Sequence, residues 1–164
     1  MKKLLSILLS ATLLLSLAAC GSGGNDAADQ TQEVPDLNQY YEDFMASLPE
    51  DDTPAMMDVE AAQYYPGLEN VQTKQCVLKA AMIAMVAYEF ALVEVENASD
   101  AQTVRDIFQA RIDYQIENGA FYPMTLEGWE NAEIINQAQG NVVALIVAQG
   151  SQDQAVDAFN QLFA

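Results

Sequence analysis

The first 20 residues determine which part of this 164-residue chain is left to fold. Lys2 and Lys3 precede an uncharged, mainly apolar run over residues 4–19, which ends in Leu-Ala-Ala before a cysteine. A basic start, an apolar stretch and small residues before a cleavage point are the order of a secretion signal. The run is too short for a comfortable bilayer span, and no basic stop-transfer cluster follows it. We therefore expect residues 1–19 to be a signal peptide that is removed.

Cys20, followed by Gly21, is the expected site of lipid attachment. The segment that ends in Cys20 resembles the lipobox of bacterial lipoproteins, in which the signal is cut before the cysteine and diacylglycerol is attached to its sulfur. Two or more acyl chains hold a protein stably at a membrane, whereas one chain binds only marginally. The alternatives are an ordinary cleaved signal with Cys20 merely nearby, or an uncleaved anchor helix. The lipobox implies a lipid-anchored location at the extracytoplasmic face of the cell membrane and no particular activity.

Removal of the signal leaves 145 residues, which is the size of one domain with a tether. We expect a flexible acidic tether over residues 20–35, where Gly, Ser, Asn and Asp are frequent, and a single domain over 36–164. If Cys20 carries lipid, Cys76 has no partner within the chain, so no disulfide stabilises the fold. Because Cys76 lies in an apolar stretch, we expect a small buried side chain rather than a reactive thiol.

The mature chain is strongly acidic. Without Lys2 and Lys3, four basic residues remain against 24 acidic ones, which gives a formal charge of −20. Such a surface repels the phosphates of nucleic acids, so nucleic-acid binding is excluded. It favours a cationic partner, whether a peptide, a protein or a wall component, although a solvated acidic exterior would by itself explain the charge.

Apolar residues at helical spacing predict two helices at the start of the domain. The first runs over 37–48, with Asp36 as N-cap and Pro49 beyond its end. A second helix is predicted from the cap Thr53 to about Tyr65.

Strand and helix signals alternate through the middle of the chain. Residues 76–82 and 88–96 are predicted to be strands, the second because of its β-branched and aromatic content. A long helix follows from a cap at Ser99 or Asp100 to residue 118. Arg105 and Arg111 flank its apolar stripe, where we expect their charged heads to stay hydrated.

The last third of the domain is predicted to contain a hairpin between two helices. Thr125 is expected to cap a short turn of helix that extends through Trp129. Strands over 133–139 and 142–148 are separated by the tight-turn pair Gly140-Asn141. Ser151 begins a final helix with the spacing of a capping box. The order predicts an α+β fold with an antiparallel or mixed sheet of about four strands packed with helices.

The sequence offers little catalytic chemistry. The chain contains no histidine, which removes the usual general base and all His-ligated zinc sites, and no nucleotide-binding glycine motif occurs. A glycosidase can work with two carboxylates, but any pair among 24 can be nominated. We therefore expect no enzyme activity, no cofactor and no metal site. Tyr122 and Trp129 are the tentative ligand-contact residues, since loop aromatics either stack on ligands or close the core.

Several segments together resemble a known family. These are residues 64–68, 87–95, the arginine-bearing helix, Tyr122-Pro123, 140–145 and 159–163. The pattern resembles Gram-positive lipoproteins built around a domain of unknown function, number 4358. That resemblance implies an α+β fold with a strand at 88–96, and it brings no established catalytic residues.

The sequence leads to three hypotheses on function. The first is a lipid-anchored, non-enzymatic binding or interaction domain at the cell envelope. The second is a hydrolase that acts on envelope glycans through a carboxylate pair, which requires a cleft holding two carboxyls. The third is a structural subunit of a membrane complex, which an exposed apolar patch would favour.

Overall fold

The computed structural model describes residues 33–164. The predicted signal peptide, Cys20 and nearly all of the predicted tether lie outside the described residues. The described part is an α+β fold with five strands and five helices. In chain order these are α1 (Leu37–Ser47), β1 (Met56–Asp58), α2 (Ala61–Tyr64), β2 (Thr73–Ala81), β3 (Tyr88–Val95), α3 (Ala101–Tyr114), α4 (Pro123–Glu130), β4 (Glu133–Gln137), β5 (Val142–Ala148) and α5 (Gln152–Gln161).

The strands form one antiparallel sheet in the order β1-β2-β3-β5-β4. The two central strands, β3 and β5, are buried along their whole length, because helices cover both faces of the sheet. This burial explains why both strands are almost continuously apolar in sequence. The strand predicted over 142–148 is confirmed with the same bounds.

Each face of the sheet has its own apolar core. On one face, Phe90 of β3 and Ile146 of β5 pack against α1 and α5. On the other, Val93 of β3 and Leu145 of β5 pack against α3 and against Trp129 of α4. Alternate residues of β3 therefore point to different helix layers, as the two-residue period of a strand requires.

The first helix forms as predicted. Asp36 is its N-cap, and its carboxylate accepts hydrogen bonds from the backbone N–H groups of Asn38 and Gln39 at 2.9 and 3.0 Å. Leu37, Tyr40 and Phe44 form the buried stripe. The helix ends before Pro49, which has no N–H to continue it.

The predicted helix from Thr53 to Tyr65 is wrong over most of its length. Residues 56–58 are the edge strand β1, paired with residues 79–81 of β2, and only α2 is helical. Thr53 does not cap a helix, because its hydroxyl donates to the Pro49 carbonyl oxygen at 2.8 Å. The local start signals were outweighed by backbone pairing to a strand about twenty residues further along the chain.

Two local predictions at the end of the chain also need correction. Gly140-Asn141 is not a two-residue turn, because β4 ends at Gln137 and a 3₁₀ turn occupies Ala138–Gly140, all three residues having positive φ. Ser151 precedes α5, but its hydroxyl is hydrogen-bonded to the Tyr88 hydroxyl and makes no cap bond. The Tyr88 contact is distant in the chain, whereas the reversal at Ala138–Gly140 uses left-handed backbone that is unusual for alanine and glutamine.

The central helix and the strand pair before it are confirmed. The strands β2 and β3 form as predicted, and α3 continues as one π-helical turn over Gln115–Gly119. Cys76 was predicted to be buried, but it lies exposed on β2 near the edge of the sheet. Desolvation by its neighbours nevertheless raises the pKa of the thiol, which opposes thiolate formation.

No helix within residues 33–164 combines the length and the apolar character that crossing a bilayer requires.

Candidate functional site

A buried ion pair links the centre of the sheet to α3. Glu89 lies on β3 with 2% of its surface exposed, and its side chain faces α3. Arg111 of α3 donates from Nε to Glu89 Oε1 and from Nη2 to Glu89 Oε2, both at 2.8 Å. This two-point geometry fits a planar guanidinium to a planar carboxylate. The sequence-based expectation that the head of Arg111 stays hydrated is therefore wrong.

Two further side chains form hydrogen bonds with the ion pair, Tyr65 with Glu89 and Gln115 with Arg111. The Tyr65 hydroxyl donates to Glu89 Oε1 at 2.5 Å. Burial, and then the charge and hydrogen bond of Glu89, raise the pKa of Tyr65 well above its ordinary value, so the phenol stays protonated. The Gln115 amide, oriented with its oxygen toward Arg111, accepts from Nη1 and Nη2 at 3.0 and 2.8 Å.

Aromatic rings surround the Arg111 guanidinium. Its central carbon lies 4.8 Å from the ring centroid of Tyr64, 5.5 Å from that of Trp129 and 5.9 Å from that of Tyr65. Burial lowers the pKa of Arg111, but the hydrogen bonds and the charge of Glu89 raise it more, so the net shift is upward. Arg111 thus stays positively charged, and its charge and its N–H donors interact with Glu89 and Gln115 inside the fold.

The Glu89–Arg111 pair forms the floor of an open cleft of about 410 Å³. The walls are the loop that joins β2 to β3, the π-helical end of α3 and the start of α4. We call this feature the cleft. A second, larger groove of about 870 Å³ runs between α2 and α3 and shares Tyr64, Arg111, Tyr114 and Gln115 with it.

The mouth of the cleft is apolar and exposed. Of the nine large apolar residues that are exposed within residues 33–164, five line the cleft, and we call these the apolar rim: Met57, Met82, Ile83, Tyr114 and Phe121. Phe121 is 81% exposed and Met82 is 60% exposed. Three more of the nine lie nearby in the chain: Met85 in the loop between β2 and β3, Tyr122 just before α4, and Met124 in the first turn of α4. Exposed apolar surface is thus concentrated at one end of the fold, as is typical of an interaction site.

The chain segments that form the cleft are rich in acidic residues. The segments that form the cleft, residues 56–64, 79–89 and 110–130, contain seven acidic residues and two basic ones. Both basic residues are ion-paired, Lys79 with Asp58 and Arg111 with Glu89. The other five acidic side chains are exposed and have no cation opposite them among the described residues: Glu60, Asp113, Glu117, Glu127 and Glu130. The surroundings of the cleft are therefore strongly negative.

The two tentative ligand-contact residues lie in different environments. Trp129 is buried, lines the inner part of the cleft and belongs to the core beneath α3. Tyr122 is half exposed and precedes α4, whose first turn is closed by a bond from the Thr125 hydroxyl to the Tyr122 carbonyl oxygen at 2.8 Å. The predicted short helix is thus present, but it begins at Pro123 with Tyr122 as its N-cap, so the prediction that Thr125 caps it is wrong.

Three residues that define the cleft were missed at the level of sequence: Glu89, Arg111 and Phe121. A signal for the first two was available, because a carboxylate in a buried strand requires a partner. Arg111 lies three residues after the buried Phe108 on α3, so it lies near the same face of the helix. No signal identified Phe121, since a large aromatic residue is more often buried than exposed.

Most of the side chains that line the cleft are apolar. Glu89 is the one carboxylate among its described lining residues, and Arg111 and Tyr65 already bond to it. No group of metal-ligating side chains was found within residues 33–164. A glycosidase-like carboxylate pair is thus missing from this cleft, whereas an apolar surface with acidic neighbours is present.

Comparison with family models gives one match, to the domain of unknown function DUF4358 over residues 46–148. The chain belongs to the DUF4358 family. The matched DUF4358 region begins near the end of α1 and ends with β5, so it contains all five strands and every residue that lines the cleft. Curated proteins and solved structures, compared in the same way, give no match.

Proposed function

We propose that this chain is a non-enzymatic interaction domain, held at the extracytoplasmic face of the cell membrane by a lipid on Cys20. Its partner is a cationic peptide, protein or wall component. The observation that carries the proposal is the concentration of exposed apolar side chains around one cleft in an acidic surface. Apolar contacts supply affinity, and the carboxylates select positively charged partners.

The charge of the domain supports a cationic partner. Residues 33–164 contain 22 acidic and four basic residues, and three of the four basic residues are already paired with carboxylates. A surface of this kind accelerates the encounter with cations and repels anionic lipid headgroups. The charge would therefore keep the domain clear of an anionic bilayer while the lipid holds it nearby.

The first test concerns the tether. We expect Cys20→Ser to release the protein into the medium or to leave an unprocessed precursor, because serine has no sulfur to carry diacylglycerol. Fractionation of cells and mass spectrometry of the mature N-terminus measure both outcomes. Cys76→Ser is the matched control, since it removes the other cysteine and should leave localisation unchanged. A Cys20→Ser protein that is still processed and membrane-bound would disprove lipid anchoring.

The second test concerns the partner. Crosslinking in intact cells, followed by mass spectrometry, identifies the molecule that the tethered domain contacts. We expect its affinity to fall at least about tenfold between about 50 mM and about 500 mM salt, because screening weakens attraction between exposed charges. Binding that is insensitive to salt contradicts a cationic partner, and failure to recover any partner contradicts the proposal as a whole.

A structural subunit of a membrane complex is the second candidate function. The exposed apolar rim supports this candidate, since permanent subunit interfaces are more apolar than the rest of a protein surface. The two candidates differ in lifetime. A subunit would remain in a complex of fixed size after extraction in mild detergent, whereas an interaction domain would exchange its partner.

A further inference from the structure

We propose that the cleft binds a cationic, amphipathic segment of another protein, with its apolar side chains between Met82 and Phe121 and its basic side chains toward the surrounding carboxylates. This inference rests on the proposed function and names the site and the class of partner. It follows from two independent properties of the cleft, its apolar rim and its charge.

The apolar rim presents exposed side chains on two sides of the cleft, where they can contact apolar side chains of a partner. Met82 and Ile83 lie on the loop between β2 and β3, and Phe121 lies opposite on the connection between α3 and α4. Methionine side chains adapt to differently shaped apolar partners, and a phenylalanine adds a large rigid surface. A cleft of about 410 Å³ lies in the size range of pockets that enclose small ligands, so it holds side chains rather than a whole domain.

The charge close to the cleft selects the sign of the segment. Glu117 and Glu130 are exposed and stand next in the chain to the lining residues Asn118 and Trp129. A segment held in the cleft would therefore lie near carboxylates just outside its lining. Basic residues in the same segment would complement them, as cationic amphipathic segments do on acidic, methionine-rich surfaces.

The same charge disfavours other occupants. Two copies that met through their clefts would bring ten unpaired carboxylates together, twice the five counted around each cleft. Insertion of the rim into an anionic bilayer would bring these carboxylates toward negative headgroups. In both arrangements like charges repel each other, whereas a cationic segment is attracted to the same carboxylates.

The test is a titration with a synthetic peptide of about 18 residues that has leucine and lysine at helical spacing. The mature chain with Cys20→Ser is used, so that it stays in solution. Trp129 lines the cleft and is the chain's single tryptophan, so its fluorescence reports occupancy directly. We expect saturable binding that shifts this fluorescence. The double variant Met82→Ala, Phe121→Ala should weaken binding at least about tenfold, which corresponds to about 1.4 kcal/mol.

Charge variants separate site-specific from general attraction. We expect Glu117→Gln, Glu130→Gln to weaken binding severalfold more than Glu42→Gln, Asp43→Asn. The second pair removes the same charge from exposed positions on α1, which packs on the opposite face of the sheet. Equal effects of the two pairs, or no effect of the double apolar variant in a protein with unchanged circular dichroism, would overturn the assignment of the cleft.

Two further measurements separate this inference from its alternatives. Vesicles of phosphatidylcholine with phosphatidylglycerol should not bind the soluble chain, and sedimentation should show one copy per particle. If vesicle binding or dimerisation required Phe121, the occupant of the cleft would be a bilayer or a second copy of the chain, and not a cationic segment. Suppose that a partner recovered by crosslinking binds wild type and the double apolar variant equally well. The proposed function would then stand, but the cleft would not be the binding site.

Discussion

Replacing Arg111 by methionine is expected to lower the free energy of unfolding by about 3–5 kcal/mol, because the substitution leaves the Glu89 carboxylate buried without its cation. Glu89 is 2% exposed, so water does not replace the two lost hydrogen bonds of 2.8 Å. The Tyr65 hydroxyl remains as a donor, but it carries no charge. Urea unfolding followed by circular dichroism measures the effect.

Arg105→Met is the matched control, since Arg105 is partly exposed on the same helix and no ion pair holds it among the described residues. We expect a change within about 0.5 kcal/mol for this surface substitution. Adding Glu89→Gln to Arg111→Met should recover much of the loss, because a neutral amide costs less to bury than a carboxylate. Equal destabilisation by Arg111→Met and Arg105→Met would show that the pair contributes nothing to stability.

The parts of the fold that could be predicted are those whose stabilising contacts leave a local pattern. The first helix has a cap, an apolar stripe and a proline after its end, all within residues 36–49. Strands β3 and β5 are buried on both faces, which produces long apolar runs. The α+β class followed from the order of these elements, and the sheet has five strands because a short edge strand was added.

The parts that could not be predicted depend on pairing between distant residues. Strand β1 has only three residues and exists because it completes the edge of β2. Cys76 lies exposed although apolar residues follow it, because β1 pairs with β2 only at residues 79–81 and no described strand lies beyond β2 at Cys76. The reversal over Ala138–Gly140 is set by left-handed backbone conformations that are unusual for alanine and glutamine.

The candidate site was hidden for a related reason. Its floor joins residues 22 positions apart in the chain, and the sequence places Glu89 and Arg111 on separate elements. Its rim consists of methionine, isoleucine and aromatic residues that composition alone would assign to a core. Only the three-dimensional arrangement distinguishes an exposed Phe121 from a buried Phe90, and this distinction can be measured.

Phe90→Ala is expected to cost about 3–5 kcal/mol of stability, whereas Phe121→Ala should change it by less than about 0.5 kcal/mol. Phe90 is fully buried on β3, and its ring centroid lies 5.5 Å from that of Tyr41 and 5.6 Å from that of Phe44. Its removal leaves a cavity between the sheet and α1 that rigid neighbours do not fill. Phe121, in contrast, loses little packing because 81% of it is already in water.

The same pair of variants separates stability from binding. Phe121→Ala should weaken binding of the leucine–lysine peptide severalfold, while the variant unfolds at the same urea concentration as wild type. Such a result would mean that the exposed ring acts in recognition and not in folding, since the identical substitution at Phe90 measures what a ring contributes to the core. If Phe121→Ala instead destabilised the fold by several kcal/mol, its ring would be part of the core in solution, and the apolar rim would lose its largest exposed side chain.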